Sequence, residues 1–126
     1  MISFLHPPSP GTARAFSRAA VAGGLVFVSG ASAPHDPAAG VQRGTDAAAQ
    51  TREALAAIAA TLAEAGSSLD RVVQVTMLLN DPTDYEACNA EYVRHFPHGL
   101  PARHTARFGV PTEAKVAFAC IALAGN

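Results

Sequence analysis

The sequence predicts an α+β fold, with two helices on one face of a mixed or antiparallel sheet of about six strands. Three observations carry the prediction. Segments 46–65 and 82–96 repeat apolar residues three or four apart, the period of a helix that buries one stripe. Short apolar or β-branched runs, bounded by Gly, Pro, Asn and Asp, surround them in the order β-β-α-β-α-β-β. The chain has 126 residues, the size of one domain (1–126), and can bury about two-thirds of its surface.

Residues 1–12 read as an extended lead-in. His6–Gly11 carries three prolines and a serine, which suit no regular element, so structure is expected from near Arg14. Arg18–Ala22 and Leu25–Ser29 flank Gly23-Gly24, a pair that takes the positive φ angles of a tight turn, and read as an antiparallel hairpin. Residues 30–44, rich in Gly, Pro, Ala and Asp, read as a loop with room for a short edge strand at Val41–Arg43. Thr45 or Asp46 then caps a helix running to Ala65, with Thr51, Leu55, Ile58 and Leu62 on its buried stripe and Gly66 as its stop.

Val72–Leu79 is apolar on both alternating faces except at Gln74 and Thr76, the pattern of a central strand. A second helix is expected from Pro82 to Phe96, with Tyr85, Cys88, Tyr92 and Phe96 on one stripe, Asn89 beside them and Pro97 closing it. Asn89 there reads as a satisfied core amide. Arg103–Phe108, a turn over Gly109–Lys115 and the strand Val116–Leu123 complete the order. Helices on one face leave the other bare. Because Val116, Phe118, Ala119, Cys120 and Ile121 bring no charge to either side, a neighbouring subunit is expected to cover it.

Composition narrows the function classes. Nine basic and ten acidic residues give a net charge of −1, with the basic residues scattered singly, which is no footprint for nucleic acid. Cys88 and Cys120 lie too far apart for a CxxC site and read as buried thiols of a reducing compartment. The N-terminal stretch lacks a signal-peptide pattern and no apolar run approaches the ~20 residues that span a bilayer, so a cytoplasmic protein without a membrane partner is expected. His95 and His98 are split by Pro97 and have no third ligand at suitable spacing, so no metal site is expected.

Several stretches taken in order carry a resemblance: Phe16-Ser17-Arg18-Ala19, Leu25-Val26-Phe27-Val28-Ser29-Gly30, Gln50-Thr51-Arg52, Ala65–Val73, Tyr85–Phe96 and Pro101-Ala102-Arg103-His104-Thr105. Together they span residues 12–124, and the chain resembles the Rid (reactive intermediate deaminase) family, also called YjgF. The resemblance implies a chorismate-mutase-like fold assembled as a homotrimer, with three equal clefts between neighbouring subunits. It implies hydrolysis of 2-imino acids and their 2-enamine tautomers to 2-oxo acids and ammonia, with no metal or organic cofactor.

On the residues alone, Arg103 reads as a structural ion pair or a solvated strand arginine. The resemblance implies instead that Arg103 holds the carboxylate of a small substrate through paired N–H donors. It also brings Phe16, Ser29, Gly30, Thr105 and Ala119 toward the substrate. Thr105 shares the face of Arg103 by strand alternation, whereas His104 and Cys120 each lie one residue from a position in question. Ser29 and Gly30 read equally as ordinary strand-ending residues. Two departures from the family pattern stand out. Its last-strand Val-Glu-Ile-Glu aligns with Val116-Ala117-Phe118-Ala119, so both glutamates are alanine, and the tyrosine of its Tyr-Ser-Gln-Ala is Phe16. Glu113, in the preceding loop, is a distant substitute. The alternative is a non-catalytic member that binds a carboxylate or 2-oxo acid. A ribonuclease reading is poorly served by the charge balance.

Overall fold

In the computed structural model, which describes residues 1–125, one mixed sheet carries six strands in the order β1-β2-β3-β6-β4-β5. The strands are β1 (Ser3–Leu5), β2 (Ala19–Ala22), β3 (Leu25–Ser32), β4 (Val72–Leu79), β5 (Ala102–Arg107) and β6 (Val116–Leu123). The helices are α1 (Ala47–Glu64) and α2 (Tyr85–Val93), both on one face of the sheet. Among the described strands, only β4 and β5 pair in parallel.

Local chemistry accounts for α1. The Asp46 carboxylate accepts from the Ala49 amide at 2.8 Å, satisfying one orphan donor of the first turn. At the other end Gly66 takes φ +73°, and the amides of Gly66 and Ser67 donate back to the carbonyls of Ala63 and Leu62. That pattern is a Schellman stop, which a left-handed glycine permits. Thr51, Leu55, Ile58 and Leu62 are fully buried as their spacing predicts, each aliphatic side chain contributing roughly 1.5–3 kcal/mol of burial. They meet Val26, Met77, Val116 and Phe118 from the sheet and Cys88, Tyr92 and Phe96 from the second helical segment.

Structure begins earlier than the prolines suggest. Ser3–Leu5 pairs antiparallel with Ala19–Val21, because the backbone ahead of the proline run is free to add to the β2 edge. The sixth strand is therefore N-terminal, while Val41 makes only an isolated bridge to Asp36. β3 also runs on to Ser32, past the expected end at Ser29. The second helix is shorter than its stripe: Pro82–Asp84 forms a 3-10 turn, α2 ends at Val93, and Phe96 is buried from the turn beyond. A side chain's burial does not require its backbone to be helical.

The face opposite the helices carries Phe27, Ile121 and Leu123, with Phe27 41% and Leu123 44% exposed. None of the described helices is long and apolar enough to cross a membrane.

Candidate functional site

Arg103 is placed by the parallel pairing of β5 with β4. Its register partner is Val75, whose other partner is Cys120, and this row faces the helices. The guanidinium therefore reaches over α2. Its carbon lies 4.7 Å from the ring centre of Tyr92 and 5.8 Å from that of Tyr85, and Nη2 donates to the Tyr85 hydroxyl at 3.2 Å. Arg103 forms no salt bridge among the described residues. A cation held on aromatic faces, with no carboxylate partner among the described residues, is suited to bind one.

The surroundings are polar in an apolar frame. The Asn89 amide, and after it the Arg103 charge, draw the Tyr85 hydroxyl below the usual tyrosine value, while burial pushes Tyr92 up. The Asn89 Oδ1 and Tyr92 Oη atoms are buried and find no hydrogen-bond partner among the described residues. Asn89 is thus a half-satisfied amide, partnered toward Tyr85 but not at Oδ1. Thr105 pairs with Met77 and lies on the face of Arg103, whereas His104 pairs with Thr76 on the opposite face and its ring nitrogen lies 3.3 Å from the Thr76 hydroxyl.

A second assembly lies across the sheet. Between Val28 and Ala31 the pairing of β3 with β6 shifts register, leaving Ser29 and Gly30 opposite Ala119 in a bulge. Bulges re-aim side chains and free ladder groups beside many binding sites. Beside this one lies a groove of about 370 Å³ lined by Arg14, Phe16, Arg18, Ser29, Gly30 and Thr61, among others, with no acidic residue in its wall. Ser29 donates to the Ser17 carbonyl at 2.6 Å, tying the floor to the segment that carries Phe16. Arg14 donates to the His6 carbonyl at 2.7 Å and stands 5.9 Å from the Phe16 ring centre.

Phe16, Ser29 and Gly30 therefore share the groove beside β3, Ala119 stands opposite the bulge without lining that groove, and Arg103 and Thr105 lie at the β5 edge. Three strand spacings separate β3 from β5, roughly 14 Å. Ala119 also faces away from the helices, in the row of Thr76 and His104, whereas Cys120 shares the row of Arg103. Burial pushes the Cys120 thiol up to about 12, so it offers no thiolate. Glu113 is exposed in its loop. One subunit does not bring the two groups of residues together.

The chain's residues 7–124 match the family model described as Endoribonuclease L-PSP. The chain belongs to the Rid/YjgF family. A RutC family protein of Pyrococcus horikoshii is 39% identical over 88 residues, which cover 70% of this chain and 69% of that one. Among solved structures, a YjgF family member of Neisseria meningitidis superposes with a TM-score of 0.81 at 30% identity, over 100% of this chain and 97% of the other. A Rid family protein of Yersinia pestis gives 0.82 at 28%, over 98% and 99%. The six-stranded sheet with two helices on one face is thus the Rid/YjgF fold.

Sequence reasoning missed the tyrosines around Arg103 and the arginines of the groove. The i, i+7 spacing of Tyr85 and Tyr92 was the available signal, but only the parallel pairing of β5 says what lies above that stripe.

Proposed function

We propose that this protein hydrolyses 2-imino acids and their 2-enamine tautomers to 2-oxo acids and ammonia, in a cleft between the subunits of a homotrimer. The observation that supports this best is Arg103, a guanidinium stacked on Tyr92 with no carboxylate partner among the described residues. Its fork pairs with a substrate carboxylate and fixes the adjacent C=N carbon for water to attack. The exposed apolar face around Phe27 and Leu123 supplies the surface for assembly. Assembly brings the Phe16, Ser29 and Gly30 groove of one subunit toward Arg103 of the next.

The proposed reaction needs no metal or organic cofactor, because the barrier to imine hydrolysis is already low and positioning with proton transfer suffices. Alanine at positions 117 and 119 and phenylalanine at 16 widen the cleft, which favours substrates bulkier than 2-aminoacrylate. The same alanines favour a second reading, a carboxylate-binding protein without turnover. RNA cleavage, which the family model's description names, finds little support in a net charge of −1 and singly scattered basic residues.

The test is ammonia release from 2-imino acids generated in situ by an amino-acid oxidase, across small, aliphatic and aromatic side chains. Acceleration over buffer supports the deaminase. Calorimetric binding of 2-oxo acids without acceleration supports the binding protein, and no binding of any carboxylate sinks both.

A further inference from the structure

Deamination needs a group that gives and takes a proton beside the carbon next to the bound carboxylate, and the family's last-strand glutamates are alanine here. We propose that Tyr85 is that catalytic residue, its hydroxyl delivering a proton to the enamine carbon and then receiving one from the attacking water. The inference rests on the deaminase reading and adds the proton carrier to it.

Geometry carries the assignment. The Tyr85 hydroxyl accepts from Arg103 Nη2 at 3.2 Å, so a carboxylate on the rest of the fork lies beside the phenol oxygen. The reacting carbon is one bond from that carboxylate, within direct reach of the hydroxyl or one water away. Tyr85 begins α2 and is 41% exposed, open to a ligand, whereas Tyr92 on the same stripe is buried. Asn89, one turn along, holds the Tyr85 hydroxyl in place, and its Oδ1 has no partner among the described residues. Three other titratable groups fit less well: Cys88 and Cys120 are buried with raised thiols, and Glu113 lies in an exposed loop. Asn89 and the Arg103 charge also favour the phenolate that the cycle passes through.

The steps balance. The enamine's C=C electron pair takes the Tyr85 proton at carbon 3, leaving an iminium at carbon 2 and a phenolate beside Arg103. Water bonds to carbon 2 as the C=N pair moves to nitrogen, and its proton returns Tyr85 to the phenol. Tyr85 then protonates the amine and takes back the carbinol proton as the C=O bond forms and the C–N bond breaks. The products are a 2-oxo acid, ammonia and unchanged Tyr85.

The experiment is Tyr85→Phe, which keeps the ring and removes only the hydroxyl. We expect kcat for ammonia release to fall about a hundredfold while KM and the calorimetric Kd for a 2-oxo acid stay within about threefold. Tyr85→His, which restores a titratable group, should recover part of that loss. An active wild type whose Tyr85→Phe variant turns over within threefold of it overturns this assignment and leaves the deaminase standing. A wild type that binds 2-oxo acids but accelerates no imine overturns both.

Discussion

Replacing Arg103 with alanine separates a structural arginine from a substrate-binding one, because the two roles predict costs of different size in different assays. The structural cost follows from what the side chain touches. Arg103 gives up one hydrogen bond to Tyr85 and a cation–π contact at 4.7 Å to Tyr92, each about 1 kcal/mol. It forms no salt bridge among the described residues, so no buried carboxylate is stranded. A loss of about 2 kcal/mol lowers the melting temperature of a domain this size by roughly 5–10 °C. The binding cost is larger, because two charge-assisted hydrogen bonds at about 1.5–3 kcal/mol each amount to a loss of 10²–10⁴ in kcat/KM. Arg103→Lys keeps the charge without the planar fork and should fall between wild type and alanine. Both variants are to be measured by ammonia release and by calorimetric titration with a 2-oxo acid, beside a thermal melt. A kcat/KM and Kd within threefold of wild type, with the melt lowered by roughly 5–10 °C, would refute the carboxylate role and return Arg103 to the scaffold.

Three further outcomes follow from the same structure. Asp at Phe27 and Leu123 together places charge on the bare sheet face; if the proposed homotrimer forms, sedimentation should show trimeric wild type and a monomeric, inactive variant, and a monomeric wild type would end the inter-subunit cleft. Gly30 has no positive φ and an added Cβ meets nothing within 4 Å in its own chain, so Gly30→Val should leave the melting temperature nearly unchanged. Ligand affinity should nevertheless drop at least about tenfold as the side chain fills the cleft, and unchanged affinity would remove Gly30 from the site. Burial raises the Cys120 pKa to about 12, above the unfolded value of about 8.5. The stability held by the neutral thiol is therefore complete below about pH 8.5 and declines as pH rises toward 12, because the unfolded chain ionises first. Melts should drop through that window, and at pH 8 the thiol should react with a disulfide reagent only after denaturant is added; rapid labelling of native protein would contradict its burial.

How far the site could be read differs from residue to residue. Arg103 and Thr105 are legible as a pair, because strand alternation alone puts residues two apart on one face. The same alternation excludes His104, and the register agrees. It does not reveal that Ala119 and Arg103 face opposite sides of the sheet, since that depends on which residue of β6 stands beside which residue of β4. The bulge at Ser29-Gly30 was invisible for a related reason: a bulge is a mismatch between two strands and has no signature in one of them. β1 was masked by the prolines after it, although a three-residue edge strand needs only a free backbone edge to pair with.

By itself the sequence determined whatever depends on neighbours along the chain. The α1 stripe from Thr51 to Leu62, its Asp46 cap and Gly66 stop, the Gly23-Gly24 turn and the bounds of β4 and β6 all follow from side-chain period, capping chemistry and backbone freedom. Only the tertiary structure decided which strands lie side by side. That choice set Arg103 over Tyr85 and Tyr92, placed Ala119 against the bulge and left three strand spacings, roughly 14 Å, between β3 and β5. Strand order comes from the collective burial of two helices on one face, and no local segment encodes a collective quantity.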